Sequence, residues 1–480
     1  MERILSAEQM RAADKYTIER LGVPESTLME RAGEAVAEEI EKRFRGGRLL
    51  FVCGKGNNGG DGMIAARLLR AKHGFSVFTL KLASGETEKL DKDYDVIVDC
   101  IFGTGLSREV SGETKEIIEK INAKKCFKIS VDIPSGLNGS NGLAMGVAVK
   151  ADMTISIQEL KLGHFLNDGK DCCGRIVNRD IGIAVFEEEF ARRLEQKDMA
   201  AFFPKRRENT HKGSYGRAAV AGGSHDYFGS VLLSASALAA LKTGAGYGEL
   251  CVPESLFPLY AGKVPELILR TFSDENGFLR FCEKDFEPLA SADSLAFGMG
   301  LGVSEEVYKA ARWLLANFQG RLVLDADALN SLAAFGVNAL KNAAADVVIT
   351  PHVKEFSRLT GKDVKTVLAD PVGAAKAFYE TYGANVLLKS ATSVLAGEKG
   401  VILNTTGCAG MAKGGSGDVL SGTIAGIAAR GFCAFDAAAA GAYLCGRAGE
   451  IAAKKQNEYA ATPSDTVAAL AEAENEIAES

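Results

Sequence analysis

From residue 48 onward the chain alternates short, unbroken apolar runs with longer stretches of helical periodicity. RLLFVC (48–53), FSVFTL (75–80), DVIVDCIF (95–102) and CFKISVDI (126–133) read as strands; MIAARLLRAKHG (63–74) and residues 113–124 read as helices. Strands without polar alternation are buried on both faces, as parallel strands under helices are. The order predicts an α/β unit with a Rossmann-like parallel sheet. The charged stretch EEEFARRLEQKDM (187–199), read as a helix, precedes Pro204 and the basic KRR (205–207), and sets the expected domains at 1–205 and 206–480. A second alternation follows: RAAVAGG (217–223), an Ala/Leu helix, SLAFGMG (294–300), RLVLDADALN (321–330), DVVITPH (346–352), NVLLKS (385–390) and helices after Gly417. It predicts a second, different α/β domain.

Length and composition narrow this picture. At 480 residues two domains are expected. The 47% hydrophobic and 25% charged fractions exclude collagen, bulk disorder and a membrane bundle. A net charge of −6 with signs interspersed argues against nucleic acid as a partner. The longest small-residue segment, 433–445, is interrupted by Asp436 and reads as a buried helix rather than a membrane span. The first residues, MERILSAEQMRAADKY, lack the apolar core of a secretory signal, so a cytoplasmic protein is expected. Ten scattered cysteines without CxxC or zinc spacing read as reduced core thiols; the adjacent Cys172 and Cys173 could instead be redox-active, which needs an electropositive setting.

Chemistry concentrates at strand ends. CGKGNNGGDG (53–62) follows a strand and opens a helix, where glycine amides and the helix N-terminus favour a phosphate. Asn57, Asn58 and Asp61 add side-chain oxygens that a structural turn does not need. Asp99 ends a strand before FGTGLSREVSG (102–112), and Asp132 ends another before PSGLNG (134–139), so three loops are expected to line one crevice. Asn58, Asp99 and Ser135 offer hard oxygens suited to an alkali or alkaline-earth cation; each Asp alone could equally cap a turn. In the second half, GMAKGGSGDVLSGTIAGI (410–427) sets Gly414, Gly415 and Gly417 before a helix, an arrangement that gathers amides around an anion. Asp418 then either caps the helix or takes the proton of a hydroxyl attacking a phosphoryl group; the glycines favour the second role. No Gly-Lys-Ser/Thr follows, so this is not a Walker A loop.

Several motifs in order also carry a resemblance. GNNGGDG (56–62), DCIFGTGL (99–106), VDIPSGLNG (131–139) and ADMTISI (151–157), with Lys161 and Gly163 downstream, resemble the NAD(P)H-hydrate epimerase family over residues 1–200. The resemblance implies hydrate binding by Asn57, Asn58, Gly59, Gly60 and Asp61, by Gly103, Thr104, Gly105, Leu106, Ser107, Arg108 and Glu109, and by Asp132, which would also be the acid/base group. It implies K+ at Asn58, Asp99 and Ser135, and interconversion of the R and S epimers of hydrated nicotinamide nucleotides.

From residue 209 to the C-terminus, NTHKGSYGRAAVAGGS (209–224), GMGLG (298–302), LDADALN (324–330), TPHVKEFSRL (350–359), the GSGD of residues 415–418 and ATPSD (461–465) resemble the nucleotide-dependent NAD(P)H-hydrate dehydratases of the ribokinase-like fold. This implies that the S epimer of NADHX or NADPHX is phosphorylated on its hydroxyl by ADP with Mg2+, leaving AMP, and that loss of phosphate restores NADH or NADPH. Gly300, His352 and Asp418 would meet the hydrate, with Asp418 the base. Lys389, Ser390, Ala391, Thr392 and Ser393, with Gly417, would hold the nucleotide. His352 could instead cap a helix. Asp325 and Asp327 could be caps and Asn330 a packing group, or they could position magnesium or substrate. The chain departs from the pattern at Ser390 (usually Gly), Ser416 (usually Thr) and Cys408 (usually Asn), and Ser390 adds a side chain where close backbone approach is wanted. A homo-oligomer is expected. The rival expectation is a kinase of a small hydroxylated metabolite with a non-catalytic nucleotide-binding N-terminal domain.

Overall fold

The structure, a computed structural model, describes residues 1–82, 85–185, 190–239 and 243–478. The chain divides into two compact units, Glu2–Arg192 and Arg193–Ser480, the second also taking Met1. The division falls before the basic stretch that composition singles out, because Leu194, Met199 and Phe202 are buried with Val220, Val252 and Ile427 in the second core. The expected helix over 187–199 is corrected too. Ala191–Arg193 is a strand, and only Gln196–Met199 makes a helical turn; residues 187–189 lie outside the described residues. The i, i+4 spacing of Phe190 and Leu194 imitates a helix, but a three-residue strand holds Ala191 and leads to Leu194, both buried.

The first unit is built on a six-stranded parallel sheet in the order Phe75–Lys81, Gly47–Cys53, Val96–Cys100, Phe127–Val131, Met153–Ile157 and Arg175–Arg179. Its central strands are mostly apolar because both faces are covered. The helices Glu25–Arg43 and Asn57–Arg70 cover one face, and Gly112–Ala123 covers the other with Ile117, Ile118 and Ile121. Glu25–Arg43, which the strand and helix pattern above leaves unassigned, buries Leu28, Ala32, Val36 and Ile40, one residue per turn. The chain order reverses between Gly47–Cys53 and Val96–Cys100, and at such a switch point the loops leaving the strands part to open a crevice.

In the second unit seven parallel strands run in the order Ile268–Phe272, Tyr247–Pro253, Arg217–Ala221, Ser294–Phe297, Arg321–Leu324, Asp346–Ile349 and Asn385–Leu388. The antiparallel strands Ser393–Gly397 and Gly400–Asn404 continue the sheet. The helix Ser416–Ala429 packs Ile424, Ile427 and Ala428 into the core, and Ala434–Gln456 is the buried helix expected around residues 433–445. Among the described residues no helix is long and apolar enough to cross a membrane. The ten cysteines are free thiols; burial pushes Cys172 up to about 11, so it is no thiolate.

Candidate active sites

In the first unit, the turn after Gly47–Cys53 leads directly into the helix Asn57–Arg70. Two close approaches require its glycines: a Cβ on Gly54 would lie 2.0 Å from the Ile101 carbonyl oxygen, and one on Gly59 would lie 2.1 Å from that of Gly54. Together with the 101–108 loop and Asp132 this turn encloses a cavity of about 860 Å³, a volume suited to a nucleotide-sized ligand. Asn57, Asn58 and Asp61 line it, as do residues 103–108, and Asp14 and Glu25 add acid from the N-terminal helices. Of the expected residues, Gly59 and Gly60 pack the helix against Gly54 and Met29 instead of lining the wall. Glu109 is exposed and outside the wall.

Asp132 sits at the cavity with a left-handed backbone, φ 69°. Its Oδ1 meets Lys161 Nζ at 2.6 Å, and its Oδ2 accepts the Thr104 N–H at 3.0 Å. The Lys161 side chain is fully buried and also donates to Ser156 Oγ and the Ile157 carbonyl. His164 Nδ1 accepts from the Lys161 N–H, so the proton must sit on Nε2, which reaches the Asp132 carbonyl oxygen at 2.8 Å. Burial pushes this imidazole down to about 4, leaving it neutral. Burial alone would raise Asp132, but the Lys161 ammonium and the Thr104 donor outweigh it and hold the carboxyl below its usual range. Asp61 goes the other way. Burial, then the charges of Asp132 and Asp14, push it up to about 8. One cavity therefore pairs an ionised carboxylate with a protonated carboxyl at neutral pH, the arrangement acid–base chemistry uses.

The cation residues come together beside it. Asn58 Nδ2 donates to the Phe102 carbonyl at 2.9 Å, which leaves the buried Asn58 Oδ1 without a donor. Ser135 Oγ accepts the Phe102 N–H at 2.8 Å and donates to Asp99 Oδ1 at 2.5 Å. Asp99 also accepts from Ser130 Oγ and from the Ser135 and Ile101 N–H groups, yet burial still holds it above its ordinary value. A cation would meet the orphaned Asn58 oxygen first, while Asp99, its lone pairs already engaged, would act mainly as buried countercharge.

In the second unit, five segments converge at the carboxyl ends of parallel strands. Ser294–Phe297 leads to residues 298–302, Arg321–Leu324 to Asp325 and Asp327, Asp346–Ile349 to His352, and Asn385–Leu388 to Lys389; the helix Ser416–Ala429 starts among them. Gly415 (φ +97°) caps that helix, and a Cβ on Gly417 would stand 3.1 Å from Lys389 Nζ. Lys389 Nζ pairs with Asp325 Oδ1 at 2.8 Å. Asp418 caps nothing in particular: burial, with Asp325 as a facing like charge, pushes its carboxyl up to about 7 against the pull of Lys389 and a Ser230 hydrogen bond. Gly300 (φ +66°) leaves room only for backbone, since a Cβ would lie 2.6 Å from the Tyr227 carbonyl oxygen. His352 does cap the helix Val353–Thr360, its Nδ1 accepting from the Lys354 and Glu355 N–H groups, but its ring stays half exposed and its backbone bridges to Lys389. Ser390 and Ala391 are exposed, Thr392 Oγ1 is buried without a partner, and Ser393 begins the next strand. Asp327 Oδ2 accepts the Gly302 N–H at 2.9 Å and Asn330 Oδ1 accepts from Arg358, contacts that suit a structural role. Lys413 is turned away to the carbonyls of Glu458, Tyr459 and Ala461.

Sequence reasoning assigned no role to Lys161, His164, Asp14 or Glu355. Lys161 and His164 were visible as polar residues in the otherwise apolar run LKLGHFL (160–166). Asp14 and Glu355 carried no such signal, since each looks like an ordinary polar helix position.

The model of the NAD(P)H-hydrate dehydratase family matches residues 218–471, and that of the YjeF-related protein N-terminus matches residues 25–92 and 79–163. The chain is 35% identical to a bifunctional NAD(P)H-hydrate repair enzyme of Moorella thermoacetica, over 96% of this chain and 94% of that protein. The counterpart in Thermofilum pendens is 34% identical, over 95% and 93%. The chain belongs to the family of bifunctional NAD(P)H-hydrate repair enzymes. Among solved structures, the ADP/ATP-dependent NAD(P)H-hydrate dehydratase of Bacillus subtilis, co-crystallised with ATP and Mg2+, superimposes with a TM-score of 0.51 at 25% identity, over 60% of this chain and 99% of that one. A ribokinase-like protein of Enterococcus faecalis, 24% identical with a TM-score of 0.51, shares the fold. Relatives matched through both units and described as bifunctional favour a repair enzyme over a kinase with an inert N-terminal unit.

Proposed function

We propose that the first unit interconverts the R and S epimers of NADHX and NADPHX, and that the second dehydrates the S epimer with ADP as phosphoryl donor, giving NADH or NADPH, AMP and phosphate. The observation that carries the second activity is Asp418, poised near neutrality at a glycine-rich helix start with the Lys389 ammonium across from it. Asp418 takes the proton from the hydrate's hydroxyl as its oxygen attacks the terminal phosphoryl group. The amides at Gly417 and the Lys389 charge receive the negative charge that accumulates on the phosphoryl oxygens. Elimination of phosphate, with the proton of the adjacent ring carbon leaving to phosphate or solvent, then restores the ring double bond. Gly300 and His352 border the hydrate, and residues 389–393 border the nucleotide. Mg2+ would be held by the nucleotide's phosphates with at most one or two carboxylates of this site. It would screen the phosphate charge there.

In the first unit Asp132 is the acid/base group, kept ionised by Lys161, while the 54–58 turn and residues 103–108 hold the nucleotide part of the hydrate. K+ fits beside Asn58 Oδ1 and Ser135 Oγ and would supply positive charge against Asp99. The test is to incubate the protein with mixed R and S hydrates, Mg2+, K+ and either ADP or ATP, following reduced-nicotinamide absorbance. Both epimers are expected to be consumed with ADP; consumption of neither epimer with either nucleotide refutes the reading, and consumption with ATP alone refutes the choice of donor.

A further inference from the structure

Asp325 binds three groups of the second site through its carboxylate, and the proposed function leaves it without a role. It is almost completely buried at the end of the strand Arg321–Leu324. One carboxylate oxygen accepts from Lys389 Nζ and from the Ala326 N–H, both at 2.8 Å, and the other accepts from Ser421 Oγ at 2.7 Å. Ser421 lies one turn along the helix from Gly417, whose carbonyl its hydroxyl also reaches at 3.1 Å. A Cβ on Gly417 would be 3.6 Å from Asp325 Oδ2 and 3.1 Å from Lys389 Nζ, so carboxylate and ammonium both stand over the first turn that carries Asp418. The next residue, Ala326, adopts φ 51° and ψ −117°, a region costly for a side chain with Cβ. That backbone turns Asp325 inward, while Asp327 goes to the Gly302 N–H.

Resting on the dehydratase reading above, we propose that Asp325 is a positioning residue for phosphoryl transfer: it pins the Lys389 ammonium over the helix start and sets a like charge against Asp418. The two effects belong together. Burial works against the charged form of a lysine, and for Lys389 the charges of Asp325, then Glu355, more than offset it. Asp418 would be a weaker base if Lys389 alone faced it, because an unopposed ammonium favours the carboxylate and lowers its proton affinity. Asp325 cancels that pull, so one site keeps both a charged phosphate binder and a competent base.

The charged groups around Asp418 are Asp325, Asp327 and Lys389; Glu355, pushed up to about 7 by burial, faces Lys389. Three variants separate them. Asp325→Asn removes the like charge and frees Lys389 to act on Asp418, so the acid limb of the kcat/KM profile for dehydration moves down by about one pH unit, and KM for ADP rises about tenfold. Ser421→Ala keeps the charge but removes a strap, so KM for ADP rises while the limb stays in place. Glu355→Gln shows whether the limb belongs to Glu355. Independently of turnover, the Asp418 carboxyl is followed by 13C NMR in aspartate-labelled protein, assigned with Asp418→Asn, and its midpoint is expected to fall in Asp325→Asn. An unmoved midpoint in that variant overturns the proposal, as does an acid limb that disappears in Glu355→Gln. Loss of dehydration in the wild type would instead sink the functional reading while the NMR titration still decides the role of Asp325.

Discussion

At the scale of single residues, the two sites are distinguished by where protons rest. As the proposed base Asp418 has to be unprotonated, and burial with Asp325 opposite holds it at about 7. Dehydration is therefore expected to decline as pH falls through that value. Asp418→Asn should cut it by about 10²–10⁴-fold while R-to-S conversion continues, and retained nucleotide-dependent dehydration in that variant contradicts the assignment. Asp61 makes a prediction about stability. In the unfolded chain an aspartate titrates near ~3.9, and in the fold this one titrates at about 8. Between those values the folded unit holds a proton that the unfolded chain has released, so the contribution is full below the lower value and is lost as pH rises toward the upper one. Asp61→Asn should thus flatten the loss of stability of the first unit between about pH 5 and about pH 8. Thermal unfolding of both proteins across that range checks it; parallel curves would mean the carboxyl is ionised in the fold.

At the scale of elements, glycine positions decide more than helix propensity does. Gly417→Ala places a methyl 3.1 Å from Lys389 Nζ in the first turn of the helix. The substitution should leave thermal stability nearly unchanged and yet raise KM for ADP, a split that calorimetry and steady-state kinetics read together. An unchanged KM would show that nothing close-packed lies over the first turn. The parallel strands were legible in the sequence because Leu49, Leu50, Phe51 and Val52 leave no polar alternation to hide. The glycine loops were legible because no structural turn needs GNNGGDG or GGSGD. The ion pairs behind the sites were not: Lys161 with Asp132 and Lys389 with Asp325 join residues 29 and 64 positions apart, a pairing set by which strand ends are neighbours and not by local pattern. The stretch around Phe190 and Leu194 misled for the converse reason, since its local spacing suits a helix and its neighbours impose a strand.

At the scale of the whole molecule, each unit carries its own core and its own site. Two damaged proteins should therefore complement one another. Asp132→Asn alone is expected to repair only the S hydrate and Asp418→Asn alone to repair neither epimer, whereas a mixture of the two should consume R and S alike, the S epimer diffusing from one molecule to the other. No gain on mixing would mean that the hydrate does not pass through solution. The far end of the chain also has a part in this chemistry. Lys413 spends its ammonium on the carbonyls of Glu458, Tyr459 and Ala461, and a Cβ on Gly415 would lie 3.1 Å from the Pro463 ring. The final helix, Pro463–Ala478, thereby backs the glycine loop from behind, and on the proposed reading clipping the turn that leads into it silences phosphoryl transfer without touching any residue assigned to the nucleotide.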